Sequence, residues 1–197
     1  MPILCGGLFL IPQWVFYIAL MYFCFISIPN IYSAYNAQND LGFTIMMPVA
    51  KRDLVKAKIG SAVILEIIHI AVGAVFAGIN IMLYHTSNFV MDLNFAFFGI
   101  AFMMFGVFNL VFFPRYFRTA YYFGFPMLFG IIAAFVFTSV FEAAILISPA
   151  AKGLFEGGEP AQRIFQLAVF FCGILGFAGL NYASYRISAG RFEKTDL

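Results

Sequence analysis

The 197-residue chain is 63% hydrophobic and only 10% charged, with 28 phenylalanines and a 20% share of aromatics, where a soluble domain carries roughly 25% charged residues. A folded unit of this size cannot hide so much apolar surface from water, so the bilayer is the solvent for most of it, which excludes soluble enzymes, nucleic-acid modules, coiled coils and disordered tails. A net charge of +2 is too small to imply a polyanionic partner.

The stretch from Ile3 to Pro29 comes first. Its 27 residues make about 40 Å of helix, too long for one upright span and too short for two. Pro12, followed by Gln13 and Trp14, falls where a kink or tight turn is expected. The reading is a short or truncated helix up to Ile11, then a span from about Val15 to Tyr35. No basic leader or small-residue cleavage site accompanies it, so no cleavable signal peptide is expected. Four plain spans follow: Ile59 to Tyr84, Leu93 to Phe113, Phe125 to Ile147 and Ile164 to Tyr185. The expected fold is all-α, a polytopic membrane bundle of five spans with a sixth, short or truncated, N-terminal helix, in a single domain over 1–197.

Lysine and arginine placement sets the orientation. Lys51, Arg52, Lys56, Lys58, Arg115, Arg118, Arg186, Arg191 and Lys194 fall on one face of a serial zigzag, and only Lys152 and Arg163 on the other. The first face is read as cytoplasmic, with cytoplasmic segments at 36–57, 114–121 and 186–197 and outer loops at 85–92 and 148–163. The expected location is the inner (cytoplasmic) membrane of the cell, multi-pass, with the C-terminus in the cytoplasm.

Ionisable groups inside a membrane are costly and are functional suspects by default. Glu66 and His69, at i and i+3, share one helix face, and Glu142 lies in another span. A Glu-x-x-His step occurs in the metal sites of helical bundles, but the matching carboxylates are missing here, so no metal site is expected. A hydrogen-bonded Glu66–His69 pair facing the interior is the simpler reading. Asn80, Asn109 and Asn181 read as interhelical hydrogen-bonding groups, and Gly73/Ala77, Ala74/Gly78 and Gly173/Gly176/Gly179 as close-approach rows. The three cysteines, Cys5, Cys24 and Cys172, lie in apolar runs without CxxC spacing and read as fillers. No Ser/His/Asp set, HExxH, Walker A loop or glycine-rich dinucleotide turn is present.

The segment at 36–57 mixes apolar residues with charge outside any span. Leu41, Phe43, Ile45, Met46 and Met47 precede Pro48, a favoured first-turn residue, and basic residues alternate with apolar ones from there to the membrane. Two readings stay open on composition: a helix that docks in a partner's groove, or an amphipathic helix lying on the headgroups.

The run from Met47 through Pro48, Val49, Ala50, Lys51, Arg52, Asp53, Leu54, Val55, Lys56 and Ala57 to Lys58 resembles the Leu-Pro-Val-x-[Arg/Lys]-x-x-[Ile/Leu]-Val-x-x-[Lys/Arg] signature of permease subunits of type-two ATP-binding-cassette (ABC) exporters, and more narrowly of the compact permeases common in Gram-positive bacteria. The stretch from Phe108 to Phe117 and the tail from Ser184 to Leu197 are similar to the same proteins. Met47 stands where leucine is usual, and the basic lead-in to the first span is missing.

The resemblance implies a non-catalytic, six-helix permease that pairs with a second copy or a sister permease above a dimer of cytoplasmic ABC ATPase subunits. ATP and magnesium would bind the ATPase, and no cofactor this chain. Leu41, Phe43, Ile45, Met46, Met47 and Pro48 would form the coupling segment, with Lys51, Arg52, Lys56 and Lys58 as membrane-surface anchors. The remaining partner is the bilayer, and no nucleic acid is expected. The alternatives are an intramembrane metal-dependent enzyme using Glu66, His69 and Glu142, or a transporter that needs no ATPase.

Overall fold

In this computed structural model the described residues are 2–11, 16–38, 42–43, 46, 48–84 and 91–194. Pro12 to Val15, Leu41, Ile45 and Met47 lie outside them. Every regular element among the described residues is helical. Five helices are long and apolar enough to cross a membrane: Phe16–Tyr35, Lys51–Tyr84, Phe95–Arg118, Gly124–Ile147 and Pro160–Glu193. A short helix α1 (Pro2–Gly7) and a 3₁₀ turn (Leu8–Leu10) precede them, as the sequence reading expects.

The first span is two α-helical pieces, α2 (Phe16–Tyr22) and α3 (Ile28–Ala37), joined by a π turn at Phe23–Ser27. Pro29 explains the join. Its ring cannot donate to the carbonyl four residues back and would clash with it, and widening the preceding turn so that Ile28 N–H reaches Phe23 O carries the chain past the proline without a break. The span enters beside Phe97, on which Tyr17 stacks at 4.4 Å, and leaves beside Tyr116, which Tyr32 meets edge-on at 5.1 Å.

Helices α4 (Lys51–Tyr84) and α8 (Pro160–Glu193) each have 34 residues, about 51 Å at 1.5 Å per residue, against a bilayer of about 40–45 Å including headgroups. Both carry their lysines and arginines chiefly at one end, Lys51 to Lys58 in α4 and Arg186 to Arg191 in α8. Between them, α5 (Phe95–Arg118) is the most buried element and the axis of the bundle, with α6 (Gly124–Ile147) on its other side. The sequence reading ends this span at Phe113, before Pro114. Instead the helix runs through the proline to Arg118, because Phe112, Phe113, Tyr116 and Phe117 are fully buried and their packing outweighs the one backbone bond that Pro114 removes.

The loop at 148–163 contains a two-turn helix, α7 (Pro149–Glu156). Ser148 Oγ caps it by accepting from Ala151 N–H, and Pro149 suits its first position. Gln166 of α8 donates to the carbonyls of Phe155 and Gly157 at 2.9 and 3.1 Å, satisfying the end of α7. Burial, then the neighbouring Asp92 carboxylate, hold Glu156 above the usual carboxylate range, against the pull of Lys152, its partner at 3.7 Å.

The surface, unlike that of a soluble protein, is largely apolar, and the apolar core also encloses several polar side chains. Phe125, Phe135, Val140 and Leu175 are exposed, whereas Glu66, Asn109, Asn181 and Ser184 are buried. Lipid offers packed helices no hydrophobic gain, so close approach through small residues must hold them. The parallel pair α5 and α8 supplies it: Gly173 lies against the Gly99 backbone, and a Cβ on Gly99 would stand 2.6 Å from Val169 O. Gly106 and Gly176 continue the seam, while Gly179 faces open space. Leucine at Gly173 should overpack this crossing and cost about 3 kcal/mol, whereas Gly179→Leu should leave stability nearly unchanged. Unfolding midpoints of the detergent-purified variants check this.

Candidate functional site at the basic end of the bundle

Gly42 and Phe43 have helical backbone, and Met46 N–H donates to Phe43 O at 3.2 Å, closing a turn. Phe43 is 66% and Met46 86% exposed, with Pro48 and Val49 also outside. Helix α4 starts at Lys51, later than the Pro48 start of the sequence reading. Ala50 O accepts the first bonds, from Asp53 and Leu54 N–H, and Asp53 in the first turn suits the positive end of the helix dipole.

The root of α4 is bound to the end of α8. Arg52 Nε and Nη2 donate to the two carboxylate oxygens of Glu193, the second at 3.0 Å, a fork-to-fork pair 141 residues apart in sequence. Lys51 Nζ stands 5.8 Å from the Phe192 ring centroid, and Arg191 Nη1 donates to Pro114 O at 3.3 Å. Lys56 is exposed. Lys58 is expected among the headgroup anchors, but the structure turns it inward. Only 7% exposed, its Nζ lies 3.3 Å from the centroid of Tyr35 and 4.8 Å from that of Tyr121. The cause is register: Val55, Lys58, Ile59 and Ala62 share the buried stripe of α4, and two aromatic faces hold the charge there.

The turn between α5 and α6 is strained. Ala120 and Tyr121 have φ of 48° and 70°, a left-handed conformation that costs roughly 1–2 kcal/mol for a residue with a Cβ. Tyr121 N–H donates to Tyr116 O at 3.1 Å, so Ala120 occupies the position where such helix ends usually place glycine. In return Tyr121 is fully buried, stacked on Tyr116 at 5.1 Å and on Phe192 at 5.8 Å. It is a wedge joining the ends of α5 and α8, and nothing in its sequence context, a turn without glycine, marks it out.

Deeper in the bundle the buried polar side chains meet. Asn109 Nδ2 donates to Glu66 Oε2 at 2.8 Å and to Asn181 Oδ1 at 2.9 Å, while Ser184 Oγ donates to the Asn109 carbonyl at 2.8 Å. One centre thus ties α4, α5 and α8 together. The hydrogen-bonded Glu66–His69 pair of the sequence reading is corrected: both residues are buried, but Glu66 pairs with Asn109, and His69 packs against Phe23 at 5.1 Å and Phe105 at 6.3 Å. Glu142 is half-buried on α6 and does not join them. Among the described residues no three His, Cys, Asp or Glu side chains gather as a metal site would require, so the three groups needed for an intramembrane metal enzyme do not converge. Asn80 serves elsewhere, donating to Phe9 O at 2.6 Å and holding the N-terminal turn.

Comparison with known protein families gives a match to the ABC-2 family transporter protein over residues 2–193. The chain belongs to that family. It is therefore a permease subunit of an ABC transporter and a multi-pass membrane protein. No curated protein and no solved structure matches it. In this permease the exposed Phe43, Met46, Pro48 and Val49 precede the root of α4, and the same helix carries Glu66 of the buried Asn109 centre.

Asn109 carries two donors into a fully buried site. Asn109→Leu should cost about 2 kcal/mol, and Asn109→Asp more, because it sets a second carboxyl group against Glu66. Adding Glu66→Gln, which restores a donor across the pair, should recover part of that loss. The three unfolding midpoints, compared with wild type, test this.

Proposed function

We propose that this permease is the non-catalytic membrane half of an exporter, driven by a dimer of cytoplasmic ABC ATPase subunits that bind ATP and magnesium, and paired with a second permease chain, a copy or a sister. In this reading the basic end faces the cytoplasm of a bacterial cell, the C-terminus lies on that side, and the protein sits in the cytoplasmic membrane. The observation that carries it is the exposure of Phe43 and Met46 in the segment leading directly into α4. Bare aromatic and thioether side chains on a turn flanked by charge are what a hydrophobic cleft on another protein would take up. Leu41, Ile45 and Met47, in the same segment, are proposed to complete that contact.

The mechanism follows from how the turn is anchored. A push on 43–49 reaches the first turn of α4, where the Arg52–Glu193 fork and the Lys58–Tyr121 contact pass it to α8 and α5. Helices held by close backbone contact move as rigid rods rather than deforming. Closure of the ATPase dimer on ATP would thereby displace a set of helices together and turn the permease toward its outward-open form. No chemistry is required of the chain itself.

The turn should be a binding element and not a folding one. Phe43→Asp should abolish retention of the cognate ATPase in a pull-down from detergent, at least a tenfold loss, with the unfolding midpoint unchanged. Retention of ATPase by the variant at the wild-type level overturns the docking role. A different outcome is expected for Arg52→Glu. That variant should still bind ATPase but lose transport-coupled ATP hydrolysis, and the double exchange with Glu193→Arg should restore it.

A further inference from the structure

At the end of the bundle opposite the basic face, α4, α5 and α8 leave a groove of about 720 Å³ between them, open to the side. Ala74 and Gly78 of α4 line it together with Phe98 and Phe102 of α5 and Phe170 of α8. Along α4 it runs from Ile67 to Ile81, about 21 Å at the helical rise, somewhat more than half of a hydrocarbon core about 30 Å thick. Nothing within 4 Å would meet a side chain at Gly78. The lining is apolar except at the mouth, where Asn94, Gln166 and Arg163 gather.

Arg163 is the informative residue. That face of the protein carries only two lysines or arginines, and the other, Lys152, is engaged by Glu156 at 3.7 Å. Arg163 is exposed and bonds no carboxylate among the described residues. The polar neighbours are already committed: Asn94 Nδ2 donates to Phe155 O and Gln166 Nε2 to Phe155 and Gly157 O. A guanidinium with five donors in a planar fork therefore stands, without a carboxylate partner among the described residues, at the mouth of an apolar trough more than one leaflet deep.

We propose that this groove is a site for one phospholipid with an anionic headgroup, its acyl chain laid along Ala74 and Gly78 and its phosphate held by Arg163. Depth, apolar lining and an exposed cation at headgroup level fit an amphiphile of that shape, and the lateral opening gives it entry from the bilayer. The site is independent of the ATPase contact at the other end of the bundle, so failure of either reading leaves the other intact.

The test is native mass spectrometry of the detergent-purified protein with phosphatidylglycerol or phosphatidylcholine added. Wild type should retain one phosphatidylglycerol per chain with about a tenfold preference over phosphatidylcholine, whose choline cation offsets the attraction of Arg163 for the phosphate that both lipids carry. Arg163→Gln should lose the preference and keep the apolar association. Gly78→Phe, which fills open space and should fold normally as checked by its unfolding midpoint, should lose both lipids. Equal retention of the two lipids by wild type overturns the proposal, as does lipid retained by Gly78→Phe. So does a Gly78→Phe variant that changes oligomeric state with its lipid count unaltered, since the groove would then be a seam between copies of the chain.

Discussion

Helices in lipid gain nothing by leaving it for one another, so this fold depends on how closely α5 and α8 can approach. Gly99 and Gly173 set that distance by removing both side chains from the crossing. Everything along the seam follows from it. Further toward the basic end, the same closeness brings Asn109 within 2.9 Å of Asn181 and Ser184 within 2.8 Å of the Asn109 carbonyl. At its end Arg191 reaches Pro114 O. The contacts grade from bare backbone through neutral polar groups to charge, in the order of rising access to water, which is the order of falling desolvation cost.

At the charged end, one strained conformation is exchanged for many contacts. Tyr121 holds a left-handed backbone that its size makes unfavourable, and its ring joins Tyr116, Phe117, Phe192 and the Lys58 ammonium. Stacked aromatics gain beyond their buried area, which offsets a strain of this order. The consequence is mechanical: the ends of α5 and α8 and the root of α4 share one aromatic block, so none of them can shift alone. Strain of this kind persists only where its surroundings over-determine it, as this aromatic block does.

The spans were legible because a bilayer imposes a length and forbids open backbone, and both leave long apolar runs in the sequence. Glu66 was legible as interior for the same reason, as a charge among apolar neighbours. Its partner was not, since Asn109 lies 43 residues away and only the α4–α5 packing selects it over His69 three residues on. Pro114 misled because the rule that proline ends a helix counts one lost bond and not four buried aromatic rings. The inward turn of Lys58 could have been read from spacing, since Val55, Lys58, Ala62, Glu66 and His69 recur at three and four, but a basic residue near a span end reads first as an anchor. The positive φ of Tyr121 has no counterpart in the sequence at all.

Helix α4 shows how one element can serve two kinds of neighbour. Its Gly73–Ala77 row is buried, with Gly73 against Leu20 and Phe9, so small residues there close a gap between helices. The adjacent Ala74–Gly78 row, rotated by one position, lines the trough, and a Cβ at Gly78 would meet nothing within 4 Å. The residues are of the same size and the spacing is identical, so composition cannot separate the two uses. What separates them is whether a second helix is positioned to fill the space, and on this side α5 and α8 are already committed to each other at Gly99 and Gly173. The tight crossing that holds the bundle together thus also determines where it stays open.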